Sequence, residues 1–550
     1  MRSRTAAATA AAATAALALA TVATGPSHAE EPTASDRMTT AVTVEGVTEH
    51  LQALQDIADA NDGNRGAGTS GYEASAAYVE ETLEEAGYTT QRQEFSFVYE
   101  EVHEDSLTEV SPDARTVEAV PMSYSQPTPD EGVSAELVAP STATGCTADE
   151  YDGVDATDKI AIVERGVCPF GDKAIAAKAA GADAVIIANN TDGVLNGTLG
   201  GVDEDGVPAT GITQSEGAAL LAKMESGPVT MKLVLTKTME ERQTFNVIAE
   251  TDEGSSDDVV MVGAHLDSVH DGAGINDNGS GTAAILETAV QLKAVGGQHR
   301  NKVRFAFWGA EELGLLGSDH YVADLQANDP QGLESISSYL NFDMVGSPNH
   351  IIGVYDADQS TYEAPVEVPE GSADIEAVLT DYFDGIDQAW VDTEFSGRSD
   401  YSAFIAAGIP ASGLFTGADG ITTQEEVALF GGTAGIQHDP NYHTPQDDID
   451  NINSEALDVN SDAIAHATIT LAEPIIEDPG TDEPGTDEPG TDEPGTDEPG
   501  TDEPGTEEPE RPDVVQTDGT GTDGGAAGAL LLAALGAGGV LVARRRALQD

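Results

Sequence analysis

Val259-Val260-Met261-Val262 is an apolar, mostly β-branched run. It leads into Gly263-Ala264-His265-Leu266-Asp267-Ser268 and then Gly274-Ile275-Asn276-Asp277-Asn278-Gly279-Ser280-Gly281. The run reads as a buried strand. Thr282 to Val295 has helical spacing and few breakers. A histidine and two aspartates therefore stand in a loop between the C-terminal end of a strand and a helix. That order commits this part of the chain to an α/β sheet, and in open α/β sheets ligands bind at that edge. Imidazole and carboxylate together form a donor set that suits a zinc-like cation. Taken alone, an Asp/Asn/Gly-rich turn with a surface histidine accounts for the stretch equally well. The other segments decide between the two.

The flanking segments extend the pattern. Val47, Leu51, Leu54 and Ile57 share a helical face between Val44 and Ala60, and Asn61-Asp62-Gly63-Asn64-Arg65 breaks that helix. A second helix is predicted from Ala74 to Ala86, with Gly87 as its stop. Residues 30–40 read as a disordered lead, and residues 88–98 alternate like a strand. Composition changes near Ala119. Short strands at Lys159–Val163 and Ala184–Ala188 flank a helix at Lys173–Ala180, and another helix opens at Gly217. No acid/base cluster or metal-type spacing occurs before Leu235, so residues 119–235 read as an inserted, non-catalytic domain of ordinary size. Strand pattern returns at Asn246-Val247-Ile248-Ala249. Strands at 259–263, 303–308 and 339–343 then alternate with helices, which argues for a sheet with helices on both faces.

The 550 residues leave room for two or three domains. The net charge of -76 disfavours nucleic acid and anionic membranes as partners. Fifteen of the 99 acids lie between Glu477 and Glu510, so the body is acidic as well. Arg2 and Arg4, an Ala-rich run to Thr24 and Ser27-His28-Ala29 form the pattern of a secretory signal peptide over 1–29. In an exported chain the two cysteines, Cys146 and Cys168, read as one disulfide, the alternative being two buried thiols. Neither lies near the metal-type residues, so no thiolate ligand is expected. Pro-Gly-Thr-Asp-Glu recurs five times from Pro479, and residues 474–524 read as an extended acidic linker. The uncharged run Ala526–Val542 before Arg544-Arg545-Arg546 reads as a hydrophobic anchor over 525–550, short for a spanning helix. No Leu-Pro-x-Thr-Gly precedes it, so surface retention without covalent wall attachment is expected.

Three later segments bring further ligand types to strand ends. Phe305-Ala306-Phe307-Trp308 is followed by Gly309-Ala310-Glu311-Glu312, and Tyr339 to Phe342 delivers Asp343. Asn441-Tyr442-His443-Thr444-Pro445 places a Tyr-His pair in a loop, with Asp447 nearby. Each has an ordinary alternative: helix-opening acids, a turn acid, a structural histidine. Together, His265, Asp277, Glu312, Asp343 and His443 exceed one tetrahedral site. They fit two cations about 3.5–4 Å apart that share a bridging carboxylate. Glu311 is then left to act as general base and acid.

These motifs, in this order across residues 44–470, resemble the di-zinc aminopeptidases of the bacterial leucyl aminopeptidase and aminopeptidase Y family. The carriers are His265-x-Asp267, Asn276-Asp277-Asn278-Gly279-Ser280-Gly281, Glu311-Glu312-x-Gly, Asn341-x-Asp343-Met344 and Tyr442-His443, with Asn64-Arg65 and Gly71-Tyr72 in support. Gly145-Cys146, Arg165-Gly166-x-Cys168-x-Phe170 and Ala179-Ala180-Gly181-Ala182 resemble a protease-associated domain. The resemblance implies an α/β fold, a mixed sheet sandwiched by helices of the zinc exopeptidase type, over 30–118 and 236–473. An α+β protease-associated domain is inserted, and a disordered repeat tail follows.

It further implies two zinc ions, with Asp277 bridging, His265 and Asp343 completing one site, and Glu312 and His443 the other. Asp267 orients His265, and Glu311 relays the proton. Tyr442 polarises the scissile carbonyl, and Arg398 contacts substrate. The implied reaction is hydrolysis of N-terminal peptide bonds by a zinc-activated water, with apolar N-terminal residues preferred. The expected form is a monomer that meets a membrane only through its C-terminal segment. Some relatives hold calcium through two acids that match Asp458 and Asp462, but no acid stands at Ala41-Val42, where a third is expected. Calcium and two solvated helix acids both stay open. The alternatives on the same scaffold are a one-zinc glutaminyl cyclase, a carboxypeptidase and a non-catalytic binding ectodomain.

Overall fold

Four strands run parallel and side by side at the centre of the sheet. Their order is Ala411–Phe415, Ile336–Phe342, Ser255–His265 and Asn301–Trp308. The structure, a computed structural model, describes residues 32–191, 193–364 and 366–473. Beyond Ala411–Phe415 lie Gly353–Tyr355, which is antiparallel to it, and Val391–Thr393 at the edge. On the other side Asn301–Trp308 pairs antiparallel with the long strand Thr230–Glu250. The sheet is therefore mixed, as expected.

The central strands read as near-continuous apolar runs because both of their faces are covered. Helices Val44–Ala60, Ser70–Glu85, Gly281–Gln291, Ser372–Gly385 and Ser454–Leu471 supply or adjoin the larger core, where Val260, Val262, Phe305, Phe307, Leu340 and Phe342 are buried. Opposite them, Met261, Ala306, Trp308 and Tyr339 pack with Tyr321, Tyr401 and Phe404 from helices Leu316–Asn328 and Tyr401–Ala406. Alternate residues of one strand thus enter different cores.

Three expectations change. Within the lead expected at 30–40, Ala34–Ala41 is a helix with a reciprocal Thr33/Asp36 capping box, and its Met38 is fully buried, while residues 30 and 31 lie outside the described residues. The second helix begins at Ser70 rather than Ala74, because Thr69 accepts the Tyr72 N–H and so caps the earlier turn. The strand expected at 88–98 is real but longer, Thr89–Ser111, and pairs with Thr230–Glu250 along its whole length. That ribbon carries the chain out to and back from the inserted region. There Ile160–Glu164, Ala184–Ala188 and Ala209–Ile212 form a parallel sheet beside helices Phe170–Ala179 and Gln214–Met224. Cys146 and Cys168 are joined there as a disulfide. The expected leader, linker and anchor lie outside the described residues. Among the described residues no helix is long and apolar enough to cross a membrane.

Candidate metal centre

Parallel strands end on one edge, and three of them end here. His265 closes Ser255–His265, Asp343 follows Ile336–Phe342, and Asn301–Trp308 runs through Gly309-Ala310 into Glu311 and Glu312. Asp277 enters from the turn before helix Gly281–Gln291, and His443 from the loop that follows Asp439. Ala310, Met344 and His443 adopt φ of 60°, 53° and 56°. Left-handed backbone costs a non-glycine residue about 1–3 kcal/mol, and persists where packing over-determines it. All three are, or directly flank, ligand-type residues, so the strain sits where side chains must converge.

The convergence has a definite form. His265 Nε2 lies 3.2 Å from Asp277 Oδ1, 3.4 Å from Asp343 Oδ1 and 3.9 Å from Glu311 Oε2. His443 Nε2 lies 3.0 Å from Asp277 Oδ2 and 3.0 Å from Glu312 Oε2. The two oxygens of Asp277 thus face two different histidines. Glu312 Oε1 and Asp343 Oδ1 are buried and accept no hydrogen bond. Buried carboxylate oxygens without donors are costly. Histidine nitrogens and carboxylate oxygens without sulphur form a donor set that fits zinc, so all five expected ligand residues come together.

Asp267 meets His265 through its backbone rather than its side chain. His265 Nδ1 meets the backbone oxygen of Asp267 at 3.1 Å, while the Asp267 carboxylate is 3.8 Å away. That carboxylate instead accepts the N–H groups of Glu311 at 3.1 Å and Glu312 at 3.4 Å. It positions the Glu-Glu turn, and its backbone oxygen orients the imidazole. Asp343 is oriented by a chain of buried bonds that sequence reading missed. Trp308 Nε1 donates to Tyr339 at 2.8 Å, and the Tyr339 hydroxyl donates to Asn341 Oδ1 at 2.9 Å. Asn341 Nδ2 then donates to Ser399 Oγ at 2.8 Å, and Ser399 donates to Asp343 Oδ2 at 2.6 Å. Gly263 is part of this chain by omission. A Cβ there would come 2.7 Å from Trp308 Nε1 and closer still to the Tyr339 hydroxyl.

Burial and mutual repulsion set the protonation states. Burial pushes the Glu311 carboxyl well above its usual range; His265 opposes this, and Asp400, Asp343 and Glu312 add to it. Burial also raises Glu312, against His443. Burial works against a charged His443, but Glu312 and Asp277 lift it to about 11. Burial raises Tyr442 far above the usual phenol value, with Asp277 and Glu312 adding, so it remains a donor. Arg398 lies 3.6 Å from Asp419, and burial, which would lower its proton affinity, is outweighed by Tyr442 and Asp419.

A cavity of about 310 Å³ opens over this edge. Asp277, Glu311, Asp343, Arg398, Tyr442 and His443 line it, and Met344, Ile351, Tyr355 and Phe415 give it apolar walls. Its size falls in the range of small-molecule sites. Asp458 and Asp462 share helix Ser454–Leu471, but among the described residues no third ligand-type side chain joins them. A separate acid group, Asp356, Asp358 and Glu376, ties down its own loop: Asp356 accepts the N–H groups of Ser360, Thr361 and Tyr362, and Glu376 those of Ala357 and Asp358.

Comparison with known proteins agrees with this geometry. Residues 246–468 match Peptidase family M28, and residues 133–220 match the PA domain. The chain is 45% identical over 462 residues to a probable lipoprotein aminopeptidase, LpqL, of Mycobacterium tuberculosis, covering 82% of this chain and 89% of the relative. It is 44% identical over 450 residues to an aminopeptidase of Pseudomonas aeruginosa, covering 78% and 82%. Among solved structures, an aminopeptidase from Aneurinibacillus sp. strain AM-1 superposes with a TM-score of 0.65 at 30% identity, covering 81% of this chain and 98% of the other. A zinc aminopeptidase from Bacillus subtilis superposes with a TM-score of 0.53 at 28% identity, covering 78% and 94%.

Proposed function

The chain belongs to peptidase family M28, and on that premise we propose that it is a zinc-dependent aminopeptidase whose centre holds two zinc ions. The observation that carries the second ion is the divergence of the Asp277 oxygens, one toward His265 and the other toward His443. Zinc, when bound, supplies Lewis acidity for the carbonyl and for a water nucleophile. The chain's own residues do the rest. Glu311 takes a proton from the attacking water and returns it to the leaving amine. Tyr442, held protonated, donates to the carbonyl oxygen as charge develops there. Arg398 lines the same cavity as Tyr442. The apolar walls formed by Met344, Ile351, Tyr355 and Phe415 favour an apolar N-terminal residue.

The protein acts outside the cell as a monomer. Export rests on the basic-then-apolar start and fits the Cys146–Cys168 disulfide; retention at the surface rests on the apolar run before Arg544-Arg545-Arg546. Secreted and surface fractions of expressing cells, probed for the protein, test location.

Activity is tested with the zinc-loaded protein, leucine p-nitroanilide and the same substrate carrying an N-acetyl block. Turnover of the free-amine substrate alone is expected. Equal turnover of the blocked substrate, or cyclisation of an N-terminal glutamine without hydrolysis, would overturn the reading.

A further inference from the structure

The loop that carries Asp277 is gripped on two sides by buried charged groups. Arg65 has no exposed surface. Its Nε donates to Ala273 O at 2.8 Å, its Nη2 to Gly274 O at 2.6 Å, and its Nη1 to Leu266 O. One guanidinium therefore ties the residue after His265 to the residues just ahead of Asp277. The Arg65 N–H also donates to Ser268 Oγ at 2.9 Å, and the Ser268 N–H donates back to Arg65 O. On the other side stands Asp447, 2% exposed. Its Oδ1 accepts the Asn276 N–H at 2.8 Å, and its Oδ2 accepts the Asp277 N–H at 3.0 Å. Asn451 Nδ2 donates to Asp447 Oδ1 at 3.0 Å and so holds the carboxylate in place. Carbonyls are thus held by one guanidinium and amides by the two oxygens of one carboxyl group.

The residue types suit the task. A guanidinium offers five donors in a rigid fork and keeps its charge when buried, so it can satisfy several carbonyls that point the same way. A carboxylate offers two acceptor oxygens, one for each of two consecutive N–H groups. The segment between is packed too tightly to shift. Gly274 has φ of 61°, and a Cβ there would lie 2.5 Å from Ser268 Cβ and 3.3 Å from Arg65 Nη2. Arg65 also faces the charges of Asp267, Asp277 and Glu312 from behind the centre.

We propose that Arg65 and Asp447 are positioning residues that fix the Asp277 backbone before any cation arrives, so that its two oxygens already diverge toward their separate histidines. The proposal rests on the reading of Asp277 as the ligand shared by both ions. Neither residue lines the cavity, so both should act on metal affinity and leave the substrate KM of the loaded enzyme alone.

The test uses the full chain and the variant Asp447→Asn, which presents an amide NH₂ to one of the two N–H groups that the carboxylate accepts. Zinc affinity is measured by competition with a chromophoric chelator, and Tm is recorded with and without zinc. The expected result is a loss of about 10–100-fold in zinc affinity, the usual effect of removing a residue that orients a ligand. The rise in Tm on adding zinc should shrink accordingly. A residue that only stabilises the fold would lower both Tm values equally and leave the zinc-induced rise intact.

Arg65→Lys, which keeps the charge and loses the fork, should also weaken zinc; if it does not fold, Asp447→Asn decides alone. Wild-type zinc affinity and an unchanged zinc-induced rise in Asp447→Asn would overturn the proposal while leaving the aminopeptidase reading untouched. Conversely, wild-type protein that binds zinc but does not hydrolyse aminoacyl substrates would defeat that reading and leave this one standing.

Discussion

Where the long ribbon joins the inserted domain, Glu109 is fully buried, and Lys223 Nζ and Arg115 Nε each lie 2.7 Å from its Oε2. At the sheet edge Asp267, Asp277 and Asp343 are buried, with Glu311 and Glu312 pressed beside them. Their neighbouring charges are Arg65 and two histidines, His265 and His443. The first region answers a buried carboxylate from within the chain, and its acid is held below the usual glutamate range: burial pushes the other way, but Lys223 and Arg115 outweigh it. The second leaves Glu311 and Glu312 raised by burial and leaves carboxylate oxygens with no donor at all. Both regions bury anions, and the difference marks which of them is built for a cation from outside the chain.

That contrast is sharpened most strongly at Asp277. Asp277→Ala should abolish binding of both zincs together with hydrolysis, because each set would lose the ligand they share; metal analysis of the dialysed variant checks it. Glu311→Ala should keep both metals and lose about 10²–10⁴ in kcat, measured on leucine p-nitroanilide at saturating zinc. Removing zinc from the wild type with a chelator should lower the unfolding free energy, and Tm with it, by about 4 kcal/mol for each ion at a zinc concentration a thousand times Kd. The metal-free protein should still keep its inserted domain.

Opening the Cys146–Cys168 disulfide by Cys146→Ser/Cys168→Ser should cost about 3 kcal/mol, given a span of 22 residues, with hydrolysis unchanged. Glu109→Gln should cost about 2 kcal/mol, less than a fully buried ion pair because Lys223 and Arg115 keep some contact with water. Its sign with pH is fixed by the lowered proton affinity of Glu109. The stability it contributes is present above the unfolded glutamate value of about 4.3 and is lost as pH falls through the lower folded value. Wild type and Glu109→Gln should therefore converge in stability in acid and differ at neutral pH, as read by denaturant melts.

Much of this centre was legible in the sequence, because each ligand sits at a strand end or loop with a local signature. Val259 to Val262 announces its strand, and the Glu311-Glu312 pair follows an apolar strand directly. What escaped reading was long-range. Arg65 lies in a segment that reads as a helix breaker, yet it is bonded to residues about two hundred positions away. Ser399 and Asn341 carry no periodic signal, and the route from Trp308 to Asp343 exists only once three strands and a helix are packed together. The helix Ala34–Ala41 escaped for a related reason, since so short a helix depends on tertiary packing, here burial of Met38. Sequence spacing places Asp267 beside His265 but cannot tell a backbone oxygen from a carboxylate as the atom that meets the imidazole.

The most direct measurement of the central claim is titration of the metal-free protein with zinc, following bound zinc per chain and leucine p-nitroanilide turnover in the same samples. The account predicts saturation of binding at two zinc ions per chain, with full turnover reached only at the second equivalent. Saturation of both binding and turnover at a single zinc would contradict it.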